Sequence, residues 1–454
     1  GRVVEGEFRP GGSGSEWCDV GVLRRLRSRS LAALRKDVEP VEPVVLGRFL
    51  PAWQQDGGDL HGAEGVLAVV EQLAGCAVPA SALESLVLAS RVGDYSPSLL
   101  DELTATGEVV WAGAGDLSGG DGWVSLHLAD SAPLTLPDRA GFEPGDLHRQ
   151  VLDTLGLGGA FFFRQLADAM GLTDDDALHA ALWDLVWAGR LTNDTLAPLR
   201  ALVGGAGAHR PRRSPPRSRV YSRGRPPRPR LPTRTGPATA AGRWSLLPDL
   251  EPDPTRRALT AAEVLLDRHG VVTRGAVVSE RMPGGFAGIY PVLRTFEESG
   301  RCRRGYFVGS LGAAQFGSTG AVDRLRSVAG ESARGQAVVL AATDPANPYG
   351  AAVPWPEQAE VGGHRPGRKA GALVILVDGD LAAYVERGGR TLLTFEPEVS
   401  DAALAALADT VRSGRLDQLA IESINGERAL DSPVGAALES VGFRATPKGL
   451  RLRS

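Results

Sequence analysis

Residues 255–308 read TRRALTAAEVLLDRHG (255–270), VVTRGAVVSE (271–280), RMPGGFAGIYPVLRTFEESG (281–300) and RCRRGYFV (301–308). Ala258, Ala261, Ala262, Leu265 and Leu266 recur at helical spacing, and Gly270 supplies a stop. Thr273 is placed to cap a short second helix through Val278. Ala287, Tyr290, Leu293, Arg294 and Glu297 ride on a third helix that ends at Gly300. A basic turn and a short apolar strand, Tyr306 to Val308, follow. Helix, helix, helix, then a strand led by arginines is the order of a winged helix.

The same order recurs upstream. From Gly62 to Leu128, Val66, Leu67, Val69, Val70 and Leu73 mark a first helix, and Pro79 to Leu86 a second. Ser96-Pro97 opens a third, with a cap followed by proline at the first helical position. Glu108 to Trp111 and Trp123 to Leu128 read as strands around a glycine-rich wing. Another copy runs from Leu147 to about Val203, with helices at 147–155, 160–170 and 174–188. Trp183 and Trp187 on its last helix are read as core aromatics rather than a base-stacking surface.

Residues 204–243 differ in kind. Ten arginines, Arg212 and Arg213 among them, lie between His209 and Thr235 with many prolines and no acid. Like charge and proline oppose a packed core, so the stretch reads as a basic tether for a polyanion or as a solvated linker. After residue 330 the period becomes that of strands. Asp378-Gly379 turns one hairpin and Gly388-Gly389 the next, which predicts a small antiparallel β-barrel or curled sheet. A helix from Ala402 to Arg412, a strand at 419–421 and a helix at 434–441 form an α/β end. Before the first copy, residues 22–36 form a basic amphipathic helix carrying Arg24 and Arg25, a phosphate contact or a solvated face.

The predicted class is therefore α+β: tandem winged-helix modules, a small antiparallel β-barrel and a terminal α/β segment. The expected divisions are a helical lead-in at 1–60, winged helices at 61–140 and 141–203, and the Arg/Pro-rich linker at 204–243. A winged helix at 244–330, the barrel at 331–398 and the α/β segment at 399–454 follow.

Composition narrows the chemistry. A chain of 454 residues with 43% hydrophobic and 23% charged residues is ordinary for a soluble multidomain protein. No run of about eighteen apolar residues suggests a membrane span. The start, Gly1-Arg2-Val3-Val4, lacks Met and an apolar signal region, which suits a fragment of a longer protein working in the cytoplasm. Three scattered cysteines and seven dispersed histidines support neither disulfides nor a metal site. Only Lys36, Lys369 and Lys448 are lysines, and none sits in a P-loop, so no ATPase site is expected in this chain. No Gly-x-Ser-x-Gly elbow anchors a hydrolase triad. Asp344 and Asn347, in a proline-rich turn cluster, are the weak candidates for catalysis, with turn-making as the competing role. Glu297 and Glu298 adjoin on a helix and so diverge in direction.

The stronger signal is electrostatic. Arg294 lies on the third helix of the 255–308 unit, Arg274 opens its second, and Arg301, Arg303 and Arg304 lead its wing. In a winged helix, the third helix meets the groove and the wing meets the backbone of a duplex. The unit at 62–128 carries Asp101, Glu102 and Glu108 at the matching places, which repel phosphate.

Longer strings resemble one family. Glu7-Phe8-Arg9-Pro10-Gly11, Glu16-Trp17-Cys18-Asp19 and Arg29-Ser30-Leu31-Ala32-Ala33-Leu34-Arg35 resemble the bacterial large helicase-related (Lhr) proteins. So do Leu182-Trp183-Asp184-Leu185-Val186-Trp187-Ala188-Gly189, Gly242-Arg243-Trp244-Ser245-Leu246-Leu247-Pro248 and Asp344-Pro345-Ala346-Asn347-Pro348-Tyr349-Gly350. The resemblance implies a portion of the C-terminal region that follows a superfamily-2 helicase core. In that family the core uses ATP and Mg for 3′-to-5′ translocation, and neither is expected to bind here. The implied partners are DNA (single-stranded or 3′-tailed duplex, or an RNA:DNA hybrid), further copies of the chain, and the covalently continuous core. The region also resembles winged-helix DNA glycosylases of the AlkZ type, which implies excision of uracil or an alkylated base as an alternative activity. The Gln-x-Gln motif of those enzymes is missing, because Gln54 and Gln55 are adjacent.

Overall fold

The computed structural model describes residues 3–8, 14–36, 39–58, 60–139, 141–208, 236–332, 334–356, 364–395 and 399–454. Arg212 and Arg213 lie outside them. The first winged-helix unit has helices at Gly62–Gln72, 80–91 and Pro97–Thr106, with a sheet in which Val78–Pro79 and Val109–Leu117 flank Asp121–Leu128. Ser96 precedes Pro97 at the start of the third helix, as the sequence predicts, but its hydroxyl meets Ser98 Oγ at 2.9 Å instead of capping a backbone N–H.

The second unit has helices Asp146–Gly156, Phe163–Met170 and Asp175–Trp187. Its sheet pairs Phe161–Phe162 and Leu191–Asn193 with Arg243–Leu246, a strand supplied from beyond the Arg/Pro-rich segment. The paired strands Leu191–Asn193 and Arg243–Leu246 of this unit are thus separated in the chain by residues 194–242, where the sequence suggested a linker ending at 243. Trp244 explains the return: its ring is fully buried, 5.9 Å from Trp183 and edge-on to it. The helix Ala197–Ala208 also continues past the expected start of the linker. The first and second units share one apolar core running from Val66 and Trp111 to Leu182 and Trp244.

The third unit packs around its own core of Ala262, Leu265, Leu293, Phe296 and Phe316. Its helices are Pro254–His269, Arg274–Ser279 and Gly285–Ser299. Thr273 Oγ1 accepts the Ala276 N–H at 3.1 Å, the cap expected from sequence, and Gly300 ends the third helix with φ +81°. The wing strand is Arg303–Gly305, paired with Gln315–Gly317, three residues earlier than the apolar run Tyr306 to Val308 suggested. Val308 instead bridges to Val41: the Val41 N–H donates to Phe307 O at 2.9 Å and the Gly309 N–H to Val41 O at 2.8 Å. The lead-in is thereby stitched to the third unit, although it is 200 residues and more away in sequence.

The following sheet has six strands, ordered Ala337–Ala341, Leu373–Val377, Asp380–Val385, Thr391–Thr394, Ser423–Ile424 and Glu427–Arg428. Among the described residues it stays open, with its first and last strands as edges, and no closed barrel forms. The pair of Thr391–Thr394 with Ser423–Ile424 is parallel, so the chain must cross over between them, which it does through helix Asp401–Arg412. Leu373 and Ile375 face that helix, while Val374 and Leu376 face helices Pro43–Trp53 and Thr319–Gly330. Burial of both faces accounts for a continuous apolar strand. The expected α/β end is present, with Gln418–Ile421 paired to Gly449–Arg453 and helix Pro433–Ser440 beside them.

Candidate nucleic-acid interface

The basic residues singled out from sequence divide into two groups. Those on the third unit are largely engaged internally. Arg294 is exposed and pairs with Glu298 one turn on, at 3.2 Å. Arg301 pairs with Glu263 at 2.7 Å and lies over the Phe296 ring, 4.0 Å from its centroid. Arg304 reaches Glu297 at 3.2 Å and donates to Tyr290 Oη at 2.6 Å. Glu297 is buried and Glu298 exposed, so these adjacent carboxylates do diverge and serve two different arginines. Arg303 is half-exposed and has no ion-pair partner among the described residues. Arg274 is exposed, but its helix docks elsewhere: a Cβ on Gly275 would stand 2.0 Å from Ala351 O.

The lead-in helix Val20–Lys36 supplies the second group. Arg24, Arg25, Arg27 and Arg29 are all exposed on it, and Arg25 Nε donates to Gly21 O at 3.3 Å. Asp19 Oδ1 accepts the Gly21 and Val22 N–H groups at 2.8 and 3.2 Å and so caps this helix. The Arg27 guanidinium lies 3.6 Å from the point where a Cβ on Gly300 would stand. The Arg27 side chain therefore reaches the C-terminal end of the third-unit helix Gly285–Ser299, next to the wing. Arg27, which like Arg29 sequence reasoning did not single out, is thus the lead-in arginine that approaches the third unit.

Asp344 and Asn347 have other tasks. Asp344 is fully buried, with Oδ1 2.7 Å from Arg91 Nη2 and Oδ2 3.0 Å from Arg91 Nη1, and Oδ1 also accepts the Ala346 N–H at 2.8 Å. Asn347 donates to Ala342 O at 2.9 Å and accepts the Tyr349 N–H at 3.0 Å, which is the turn-making pattern. Neither side chain has an oxygen facing solvent. Among the described residues no three His, Cys, Asp or Glu side chains converge as a metal set, and no helix is long and apolar enough to cross a membrane.

Comparison with known proteins fits this layout of units. Residues 41–129 and 251–337 each match a model described as a winged-helix domain of large helicase-related protein. The chain belongs to the large helicase-related (Lhr) family. The first matched stretch covers the first winged-helix unit with helix Pro43–Trp53, the second covers the third unit, and the split-wing unit lies between them. The chain is 54% identical to the "Lhr helicase/ probable uracil glycosylase" of Mycolicibacterium smegmatis, over 100% of its own length and 31% of that protein. It is 38% identical to the "Lhr helicase/uracil glycosylase" of Escherichia coli, over 96% of its own length and 30% of that one. The chain thus spans about a third of the length of these Lhr relatives.

Proposed function

We propose that this chain is the non-motor, C-terminal nucleic-acid-binding region of a 3′-to-5′ ATP-dependent DNA-repair helicase of the cytoplasm. It would hold single-stranded or 3′-tailed DNA, or an RNA:DNA hybrid, for a motor in the adjoining core, where ATP and Mg would act. The observation that carries this reading is the position of Arg27 beside Gly300, which joins Arg24, Arg25, Arg27 and Arg29 to Arg303 and the wing of the third unit. Free guanidinium groups on one surface neutralise successive phosphates and release counterions. The test is the salt dependence of binding to a 3′-tailed duplex, with Arg24, Arg25 and Arg27 replaced by Ala. The slope of log K against log salt should fall by about 2 to 3, near 0.9 per lost phosphate contact. An unchanged slope overturns the assignment. Homo-oligomer formation belongs to the same proposal, and a strictly monomeric mass by light scattering removes it.

A second reading is excision of uracil, favoured by the uracil glycosylase in the names of both relatives. Asp344 is an unsuitable base for it, because Arg91 and a backbone N–H occupy its oxygens. Cleavage at abasic sites after incubation with a uracil-containing duplex tests this activity. Intact product at high protein concentration rules it out.

A further inference from the structure

The three-stranded sheet at the end of the chain has one face inside the protein and one outside. Its order is Gln418–Ile421, Gly449–Arg453, Arg444–Thr446, antiparallel throughout. Leu450 is buried and Leu452 half-buried in a core that includes Leu404 and Leu407 of helix Asp401–Arg412 and Leu438 of helix Pro433–Ser440. Alternation along the strand then turns Arg451 and Arg453 outward, about 6.7 Å apart. The register adds Arg444, directly opposite Arg451, and Gln418, directly opposite Arg453. Lys448, exposed in the turn between the last two strands, brings a further cation.

These charges are unanswered within the fold. Arginines on the neighbouring elements each meet an acid: Arg390 meets Glu422 at 3.6 Å, Arg412 meets Asp409 at 2.9 Å and Arg428 meets Asp431 at 3.7 Å. Arg444, Lys448, Arg451 and Arg453 have no ion-pair partner among the described residues. No acid follows Glu439 in the sequence. Asp417, one residue before Gln418, is turned by alternation toward the other side of the sheet. Arg451 Nη2 donates to Gln418 Oε1, a neutral acceptor that fixes the guanidinium without cancelling its charge.

Folding by itself gives no reason for this arrangement. Like charges directly opposite each other destabilise a strand pair, and an acid facing Arg451 would stabilise it. Charges on edge strands do prevent edge-to-edge pairing, but mixed signs serve that purpose as well. A face of one sign is instead the footprint of a polyanion. The outward residues include no aromatic ring on which a base could stack, and the helices lie on the other face, so no helix enters a groove. Guanidinium forks match phosphate oxygens in shape as well as charge.

We infer that the outward face of this sheet binds the sugar-phosphate backbone of a nucleic-acid strand, with Arg444, Lys448 and Arg453 on phosphates and Arg451 held among them by Gln418. Contact of this kind is independent of base sequence and falls steeply with salt. It goes beyond the nucleic-acid surface proposed above and uses none of its residues.

The test is the salt dependence of binding of the 454-residue chain to a fluorescent 3′-tailed duplex, followed by anisotropy. Arg444→Gln, Lys448→Gln and Arg453→Gln together remove three exposed charges and leave the apolar face of the sheet untouched. The slope of log K against log salt should fall by about 2 to 3, at roughly 0.7–0.9 per lost phosphate contact. If the triple variant fails to fold, Lys448→Gln with Arg453→Gln serves in its place, with a fall of about 1 to 2. Arg444→Lys with Arg453→Lys should keep the slope, because counterion release follows charge. A fall in that variant as well marks a change of structure and overturns the inference, as does an unchanged slope in the Gln variants. The competing occupant is an acidic protein segment: poly-glutamate that displaces the duplex as effectively as unlabelled duplex does, at equal charge, refutes the nucleic-acid assignment. Both sets of substitutions are also made in a chain already carrying Arg24→Ala, Arg25→Ala and Arg27→Ala, which keeps the two surfaces apart. A further fall in slope there supports this face whatever the lead-in helix does, and a fall from the lead-in substitutions alone refutes this face and leaves the earlier reading standing.

Discussion

Arg91 and Asp344 meet as a two-pronged ion pair, at 2.7 and 3.0 Å, with neither side chain exposed at all. Arg91 ends the second helix of the first winged-helix unit, and Asp344 opens the turn cluster after the first strand of the six-stranded sheet. Arg91 Nη2 also donates to Gln54 Oε1 at 2.9 Å, and Gln54 Nε2 donates to Arg268 O at 3.0 Å. The end of helix Pro43–Trp53, the first unit, the sheet and the third unit are therefore joined through consecutive buried hydrogen bonds.

Removing one partner of that pair should be far costlier than removing both. Asp344→Asn or Arg91→Met strands a charge or a strong donor in the interior, at a cost of about 3–5 kcal/mol. An apolar double substitution, Arg91→Met with Asp344→Leu, should recover much of the loss. Chemical unfolding of the three variants checks the order, and a double variant less stable than either single contradicts it.

His127 gives the fold an acid-sensitive element. Its folded pKa, about 3, lies below the ordinary 6.5, so the unfolded chain binds the extra proton first. Its contribution is complete above pH 6.5 and is lost as pH falls toward 3. At about 1.4 kcal/mol per unit, roughly 2 kcal/mol is gone by pH 5. His127→Gln should remove this slope, read as the difference between the two proteins' unfolding curves from pH 7 to 5. Glu280, lowered to about 2 from 4.5, adds its own loss only below pH 4.5.

The wing arginines should separate by task. Arg304→Ala leaves the buried Glu297 carboxylate without its cation and should cost about 2–4 kcal/mol of stability. Arg294→Ala breaks an exposed pair and should change stability by less than about 0.5 kcal/mol. Thermal unfolding measured on both variants distinguishes them, and equal shifts would contradict the assignment.

Gly47 and Gly379 are each other's limit. A Cβ on Gly47 would stand 2.1 Å from Gly379 O, and one on Gly379 would stand 2.3 Å from Val44 O. The backbone of helix Pro43–Trp53 thus lies directly on the Asp378-Gly379 turn. Gly47→Ala must push helix and hairpin apart, at about 3 kcal/mol. The loss should appear as a lower unfolding midpoint, and an unchanged midpoint would mean that the contact yields freely.

The elements with strong local signals were legible. Ser96-Pro97, Thr273 and Gly300 mark helix ends through backbone preferences and contacts within a few residues, so the sequence alone places them. Asp378-Gly379 does the same for its hairpin, with φ of +47° and +93°. The strand Arg243–Leu246 was not legible as part of the second unit, because its partners lie across an Arg/Pro-rich segment that hides the continuity. The barrel was over-read, because alternating strands look alike whether or not the sheet closes, and a parallel crossover leaves no periodic trace.

For the candidate sites the division is similar. Sequence by itself determined the repeated helix-helix-helix-strand order, the charge of each wing and the family resemblance, all of which depend on near neighbours in the chain. Tertiary structure alone decided which arginines are free and which are paired. It set Arg27 beside Gly300 and closed Asp344 against Arg91. Those residues are separated by 100 residues and more, and no local preference encodes such meetings. They follow from burying three helical units and a sheet against one another, where an enclosed polar group left without a partner is costly.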